Sequence, residues 1–299
     1  MAFQNITVAG SGVLGYQIAF QAAFHGFNVT VYDINDEVLA KAKLKFDVMC
    51  ANFTRDLQAT PDQLSATFGR LSYNSNLQEA VKDADLVIEA VPENPAIKTE
   101  FYTSLAKVAP AKTVFVTNSS TLLPSEFAAA TGRPAQFLAL HFANSIWVNN
   151  TAEIMGHSGT DPKIFDEVVA FAKAIGMIAL PLHKEQPGYI LNSLLVPLLN
   201  AATNLLVNEV ADVQTIDKTW MIATGAPMGP FGILDVVGIT TAYNINMMQA
   251  QATKDPLKIK TVAYFKTNFI DKNKLGVATG EGFYTYPNPA YKKEDFLKA

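Results

Sequence analysis

The chain has 299 residues, 49% of them hydrophobic and 17% charged, which is enough apolar material for one large domain or two smaller ones. Its net charge of -4 comes with no basic run and no interleaved arginine and aromatic patch, so a nucleic-acid backbone has no landing site. A single cysteine, Cys50, excludes an internal disulfide, and His25, His141, His157 and His183 lack the spacing of a zinc site, so no metal is expected.

Met1-Ala2-Phe3-Gln4-Asn5 carries no basic segment of the kind that opens a cleaved signal peptide, and a cytoplasmic protein is expected. Apolar runs at 6–9, 29–33, 86–91, 114–118, 137–141 and 178–181 read as strands, mostly continuous as doubly buried parallel strands are. Helical patterns fall between them at 13–25, 36–55, 96–108 and 162–175. This βαβ alternation predicts an α/β fold with an N-terminal Rossmann-type doubly wound sheet. Residues 36–76 are long for one crossover and read as an inserted helical pair, the second member starting at Pro61 after Thr60.

After Pro187-Gly188 the strand signals stop, so an all-α C-terminal domain is expected at 187–299, following the nucleotide-binding domain at 1–186. Residues 188–210 are apolar enough to raise the membrane question. Asn192, Asn200, Asn204 and Asn208 recur at multiples of four along one helical face, however, and a buried or interface helix is the expectation, with no membrane partner.

The first strand runs into Gly10-Ser11-Gly12-Val13-Leu14-Gly15, a Gly-x-Gly-x-x-Gly loop opening a helix. Gly10 permits the tight turn, Gly12 lets the backbone approach a pyrophosphate, and Gly15 lets helix and strand pack closely. The helix N-terminus offers N–H groups to the phosphates. Asp33 ends the second strand 18 residues beyond Gly15, where a carboxylate accepts from ribose hydroxyls. Its charge repels a 2'-phosphate and no arginine follows in Ile34-Asn35-Asp36, so NAD is preferred over NADP.

His141 lies at a strand's carboxyl end, the side that faces the ligand crevice in open α/β sheets. Glu153 follows 12 residues later across a polar stretch holding Asn144, Asn149 and Asn150, a separation at which a loop can return the carboxylate to the imidazole. On spacing alone, a structural histidine and a surface carboxylate stay open as readings.

The chain resembles the (S)-3-hydroxyacyl-CoA dehydrogenase family, and within it the 3-hydroxybutyryl-CoA dehydrogenases, over nearly its whole length. The resemblance rests on the glycine loop, Glu93-Asn94, Asn118-Ser119-Ser120-Thr121-Leu122, His141-Phe142-Ala143-Asn144, Glu153, Pro187-Gly188-Tyr189-Ile190-Leu191-Asn192, Pro227-Met228-Gly229-Pro230 and Gly280-Glu281-Gly282-Phe283-Tyr284. It implies an NAD-dependent oxidoreductase of fatty acid metabolism that interconverts a short (S)-3-hydroxyacyl-CoA and the 3-oxoacyl-CoA. His141 is then the general base and acid, Glu153 its carboxylate partner, and Ser120 and Asn192 hydrogen-bond the reacting oxygen. Glu93, Lys98, Asn118, Ser120 and Asn144 fall at cofactor-side positions, and the C-terminal domain forms a homodimer.

Some stretches depart from the family. Asn144-Ser145-Ile146-Trp147-Val148 lacks the usual proline, which points to a more flexible polar loop beside the acyl pocket, with Trp147 as pocket wall or loop packing. Val277 and Ala278 stand where a basic residue is common. The basic run that reaches the CoA nucleotide is thin, with Lys43, Lys45 and Arg55 as candidates. A dehydrogenase of a free 3-hydroxy acid, sugar-acid or carnitine-like, is therefore an alternative, as is a non-catalytic NAD-binding protein.

Overall fold

In a computed structural model that describes residues 3–298, the chain divides into two compact units, Met1–Ile190 and Leu191–Ala299. The first is built on one sheet of eight strands: β1 (Asn5–Ala9), β2 (Asn28–Tyr32), β3 (Leu71–Asn74), β4 (Leu86–Glu89), β5 (Val114–Thr117), β6 (Phe137–Phe142), β7 (Thr151–Met155) and β8 (Ile178–Leu182). Their spatial order is β3-β2-β1-β4-β5-β6-β7-β8. Every residue of β4, β5 and β6 is buried, as the continuous apolar runs require of strands covered on both faces. The order reverses between β1 and β4, so the ligand crevice of this sheet type opens at their carboxyl ends.

Around the sheet lie α1 (Gly15–Phe24), α2 (Asp36–Leu57), α3 (Pro61–Gly69), α4 (Leu77–Val81), α5 (Pro95–Val108), α6 (Pro124–Phe127) and α7 (Pro162–Ala174). The inserted pair is α2 and α3, and each starts at a legible signal. Asn35 accepts the Val38 N–H with Asp36 and Glu37 in the first turn of α2, and Thr60 with Gln63 forms a capping box before Pro61. Along α2, Leu39, Ala42, Phe46, Met49 and Phe53 recur every three or four residues and are all buried. Phe20 of α1 meets Phe46 stacked at 5.8 Å and Phe53 edge-on at 4.9 Å, which seats the insertion against the glycine-loop helix.

Two strands depart from the expectation. Residues 36–76 are not helical throughout, because Leu71-Ser72-Tyr73-Asn74 forms the edge strand β3; none of its residues is fully buried, and an edge needs no apolar run. Thr151–Met155, taken for the end of a loop, is β7, which pairs antiparallel with β6 and parallel with β8. Helix α1 also begins at Gly15, so Val13 and Leu14 lie in the turn before it.

The second unit is helical: α8 (Tyr189–Val207, whose first two residues belong to the first unit), α9 (Val213–Thr224), α10 (Pro230–Val237), α11 (Ile239–Thr253) and α12 (Pro256–Asn268), followed by short 3-10 turns. Helix α8 is long and apolar enough to cross a membrane by length and composition, yet its Leu199 and Ala202 join Phe231, Leu234, Phe265 and Tyr284 in this unit's core.

Candidate active site

The glycine loop divides by what each glycine faces. Gly10 has φ of 99°, and a side chain there would strike the backbone carbonyl of Ala90; one at Gly15 would strike the carbonyl of Gly10. Both are glycine for the protein's own packing. Gly12 has nothing within 4 Å of where its Cβ would stand, an open cradle that a pyrophosphate fits. Leu14, the N-cap of α1, makes no side-chain capping bond and the first turn holds no acidic residue, so the helix end stays electropositive. Asp33 is fixed beside the loop: its Oδ2 accepts from the Ser11 N–H at 2.7 Å and the Ser11 hydroxyl at 2.6 Å.

His141 and Glu153 sit directly opposite each other across β6 and β7. No loop returns the carboxylate; strand register does, which corrects the sequence expectation. The Glu153 charge had masked a short strand that starts after two asparagines. His141 Nδ1 and Glu153 Oε2 are 3.0 Å apart, and both residues are buried, at 5% and 3% exposed. With Glu153 ionised and the imidazole neutral, Nδ1 carries the proton and Nε2 is the acceptor. The Ser120 hydroxyl lies 3.1 Å from Nε2, within reach to donate to it in that state. The second Glu153 oxygen, Oε1, accepts the Ile190 N–H at 2.8 Å.

Ser120 is held by Glu93, whose Oε1 accepts from the Ser119 hydroxyl at 2.6 Å and from the Ser120 and Thr121 N–H groups at 3.0 Å each. Burial alone would raise the Glu93 carboxyl; the Ser119 hydroxyl and the Lys98 charge outweigh it and hold the group below its ordinary value. Lys98 is no surface charge. It is 1% exposed, with Nζ at 2.6 Å from Glu89 and 3.4 Å from Glu93. Asn118 Oδ1 accepts the Phe142 N–H at 3.0 Å, tying the ends of β5 and β6 together, and Asn144 Oδ1 accepts from Gln17 at 2.8 Å. Asn192 is half-buried and belongs to the second unit.

Three residues at the site were not foreseen. Glu89, fully buried at the end of β4, accepts from Lys98, Tyr102 at 2.9 Å, Thr117 at 2.8 Å and the Val91 N–H at 2.8 Å. Its signal was an acid closing an apolar strand on the crevice side. Tyr102 lay within the helical pattern at 96–108 with no role assigned to it. Tyr189, read as part of a motif, stacks on the His141 ring with centroids 4.4 Å apart and planes 17° from parallel.

Residues 5–186 match the 3-hydroxyacyl-CoA dehydrogenase NAD binding domain and residues 188–286 the 3-hydroxyacyl-CoA dehydrogenase C-terminal domain. The chain belongs to the 3-hydroxyacyl-CoA dehydrogenase family. As a member it is an NAD-dependent oxidoreductase acting on a CH–OH group. It is 34% identical to the mitochondrial hydroxyacyl-coenzyme A dehydrogenase of Homo sapiens over 95% of this chain and 91% of that one. It is 31% identical to a probable 3-hydroxybutyryl-CoA dehydrogenase of Bacillus subtilis, covering 96% and 98% of the two chains. A solved diketoreductase structure, described as showing substrate-directed dual catalysis of dicarbonyl compounds, superposes with a TM-score of 0.91 at 56% identity, covering 96% of this chain and all of that one.

Within this 3-hydroxyacyl-CoA dehydrogenase fold the loop after β6 is tightly bonded, against the flexibility expected from its missing proline. Gln17 accepts the Ser145 N–H at 2.9 Å, Ile146 is fully buried, and the Asn149 side chain donates to the Asn144 carbonyl at 2.8 Å. Trp147 donates to Asp56 at 2.8 Å and its ring lies 6.1 Å from Phe53, pinning the loop to α2. The Arg55 guanidinium, which grips Asp56 through two bonds, and the Trp147 N–H hold that carboxyl down to about 2.

Proposed function

We propose that this enzyme interconverts an (S)-3-hydroxyacyl-CoA of short chain and its 3-oxoacyl-CoA, with His141 taking the hydroxyl proton in one direction and returning it in the other. The carrying observation is the His141 to Glu153 pair facing Ser120: a buried imidazole with Nδ1 tied to a carboxylate and Nε2 left as the acceptor. Bound NAD supplies the acceptor for the hydride that leaves the alcohol carbon. Gly12, the start of α1 and Asp33 hold its pyrophosphate and ribose. Glu153 stabilises the imidazolium that forms, and Ser120 hydrogen-bonds the reacting oxygen, where negative charge develops.

A second reading keeps the chemistry and drops the CoA. It is favoured by the 56% identity to the diketoreductase and by the state of the basic residues on α2. Arg55 is paired with Asp56, Lys43 lies 4.5 Å over the Tyr73 ring and Lys45 5.1 Å over Tyr16, so each cation expected to meet a nucleotide phosphate is engaged within the protein. The substrate is then a free 3-hydroxy acid and its 3-oxo product, or a dicarbonyl compound without CoA.

The two readings separate in one assay. NADH oxidation is followed with acetoacetyl-CoA, acetoacetate and a CoA-free dicarbonyl compound at equal concentration. Turnover confined to the thioester supports the first reading, and turnover led by the CoA-free dicarbonyl compound supports the second. In either case His141→Ala is expected to lower kcat by about 10²- to 10⁴-fold, the usual contribution of a positioned acid-base group, with NADH binding unchanged. Full activity in that variant would remove His141 from the mechanism. Self-association of the second unit into a homodimer completes the proposal.

A further inference from the structure

The dyad is touched on its far side by a three-residue turn that the reaction chemistry does not call for. Gly188 has φ of 80° and Tyr189, a residue with a Cβ, has φ of 55°. Two successive left-handed residues reverse the chain sharply, and the second is strained for tyrosine. The strained backbone sets two groups against the active site. The Tyr189 ring lies flat on the imidazole of His141, with centroids 4.4 Å apart, and is fully buried there. The next N–H, that of Ile190, donates to Glu153 Oε1 at 2.8 Å. One turn thus contacts both members of the pair.

We infer that the Gly188-Tyr189-Ile190 turn is a positioning clamp for the catalytic pair, with Tyr189 the positioning residue that sets both the orientation and the basicity of His141. The inference rests on His141 acting as the base.

Orientation follows from sterics. The Glu153 hydrogen bond fixes Nδ1 but leaves the ring free to rock about that bond; a flat aromatic surface on one face removes the rocking and keeps Nε2 at the Ser120 hydroxyl. Basicity follows from charge. When the imidazole takes a proton, its cation lies over the negative face of a buried aromatic ring, a contact stronger where water is absent. The Ile190 N–H acts on the partner, keeping Glu153 in the rotamer that points Oε2 at Nδ1. The same turn supplies the first two residues of α8.

A purely apolar replacement keeps the site dry and removes the π face, which separates this role from simple packing. The expected order is wild type equal to Tyr189→Phe, both above Tyr189→Leu and Tyr189→Met. Two readouts are needed. In the ring ¹⁵N spectrum, with His141 assigned by the loss of its signals in His141→Ala, the titration midpoint of His141 falls by about half a unit to one unit in the Leu and Met variants and stays in place in the Phe variant. In turnover, kcat falls on the order of tenfold in the Leu and Met variants while KM for NAD is unchanged, because the clamp acts on the base and not on the nucleotide loop. Circular dichroism selects the variants that keep the fold, and Leu and Met give two chances of one.

An unmoved titration with wild-type kcat in a folded Leu or Met variant overturns the clamp. The failure of the underlying mechanism looks different: His141→Ala then retains turnover, whatever Tyr189 does, and the inference falls with it.

Discussion

At the scale of single residues the least expected feature is a charge pair with no access to water. Lys98 and Glu89 are each at most 1% exposed, yet the pair is fully bonded: Glu89 takes four donors, and Lys98 reaches on to Glu93. Placing two charges in the interior is not in itself stabilising; removing one partner is what the protein cannot absorb. Lys98→Met should therefore destabilise the first unit by about 3–5 kcal/mol, the usual consequence of stranding a buried charge, and the double variant with Glu89→Gln should recover part of the loss. Urea unfolding followed by far-ultraviolet circular dichroism reads both. A single variant as stable as the wild type would overturn the view that Lys98 is needed to compensate Glu89. Activity should fall further than stability accounts for, because Glu93, once released from Lys98, no longer fixes the Ser120 backbone.

At the scale of elements, the motifs that carried the resemblance acquire physical reasons. Asp235 on α10 is buried, accepts the Phe283 and Tyr284 N–H groups at 2.8 Å each and the Tyr286 hydroxyl at 3.0 Å, and so holds the 280–286 turn to the helix. Burial pushes its carboxyl up against the pull of those donors. Gly282 is glycine because a Cβ there would collide with the Asp235 carboxylate, and Gly229 stands in the same relation to Asp217. Asp235→Ala leaves two backbone donors stranded and is expected to lower stability by about 2–6 kcal/mol, read as a lower urea midpoint with the slope unchanged; a shift under 1 kcal/mol would show that water replaces the carboxylate. The glycine loop, Asp33 and the other six strands were legible because continuous apolar runs and glycine spacing are local signals. The strands β3 and β7 were not, since Leu71-Ser72-Tyr73-Asn74 lies on an edge and Glu153 interrupts its own strand with a functional charge. Glu89 and Tyr189 were missed for a related reason: their meaning lies in partners 9 to 48 positions away, and only the folded sheet brings those partners together.

At the scale of the whole molecule, the second unit, 191–299, carries several large apolar side chains that stand mostly in water. Leu194 is 70% exposed, Met248 67%, Val210 66% and Ile222 63%, while Leu199, Phe231 and Phe265 of the same unit pack fully into its core. A C2 dimer covers such a surface with a copy of itself and needs no partner of different chemistry. Sedimentation equilibrium at micromolar concentration should then give twice the chain mass of 32.4 kDa. Dimerisation also has a thermodynamic signature that a merely sticky surface lacks: because only the folded dimer gains from association, each tenfold rise in protein concentration adds about 1.4 kcal/mol per dimer to the unfolding free energy and moves the thermal midpoint upward. A midpoint independent of concentration, together with a single-chain mass, would assign the exposed leucine, methionine and isoleucine side chains to ordinary surface and end the dimer proposal.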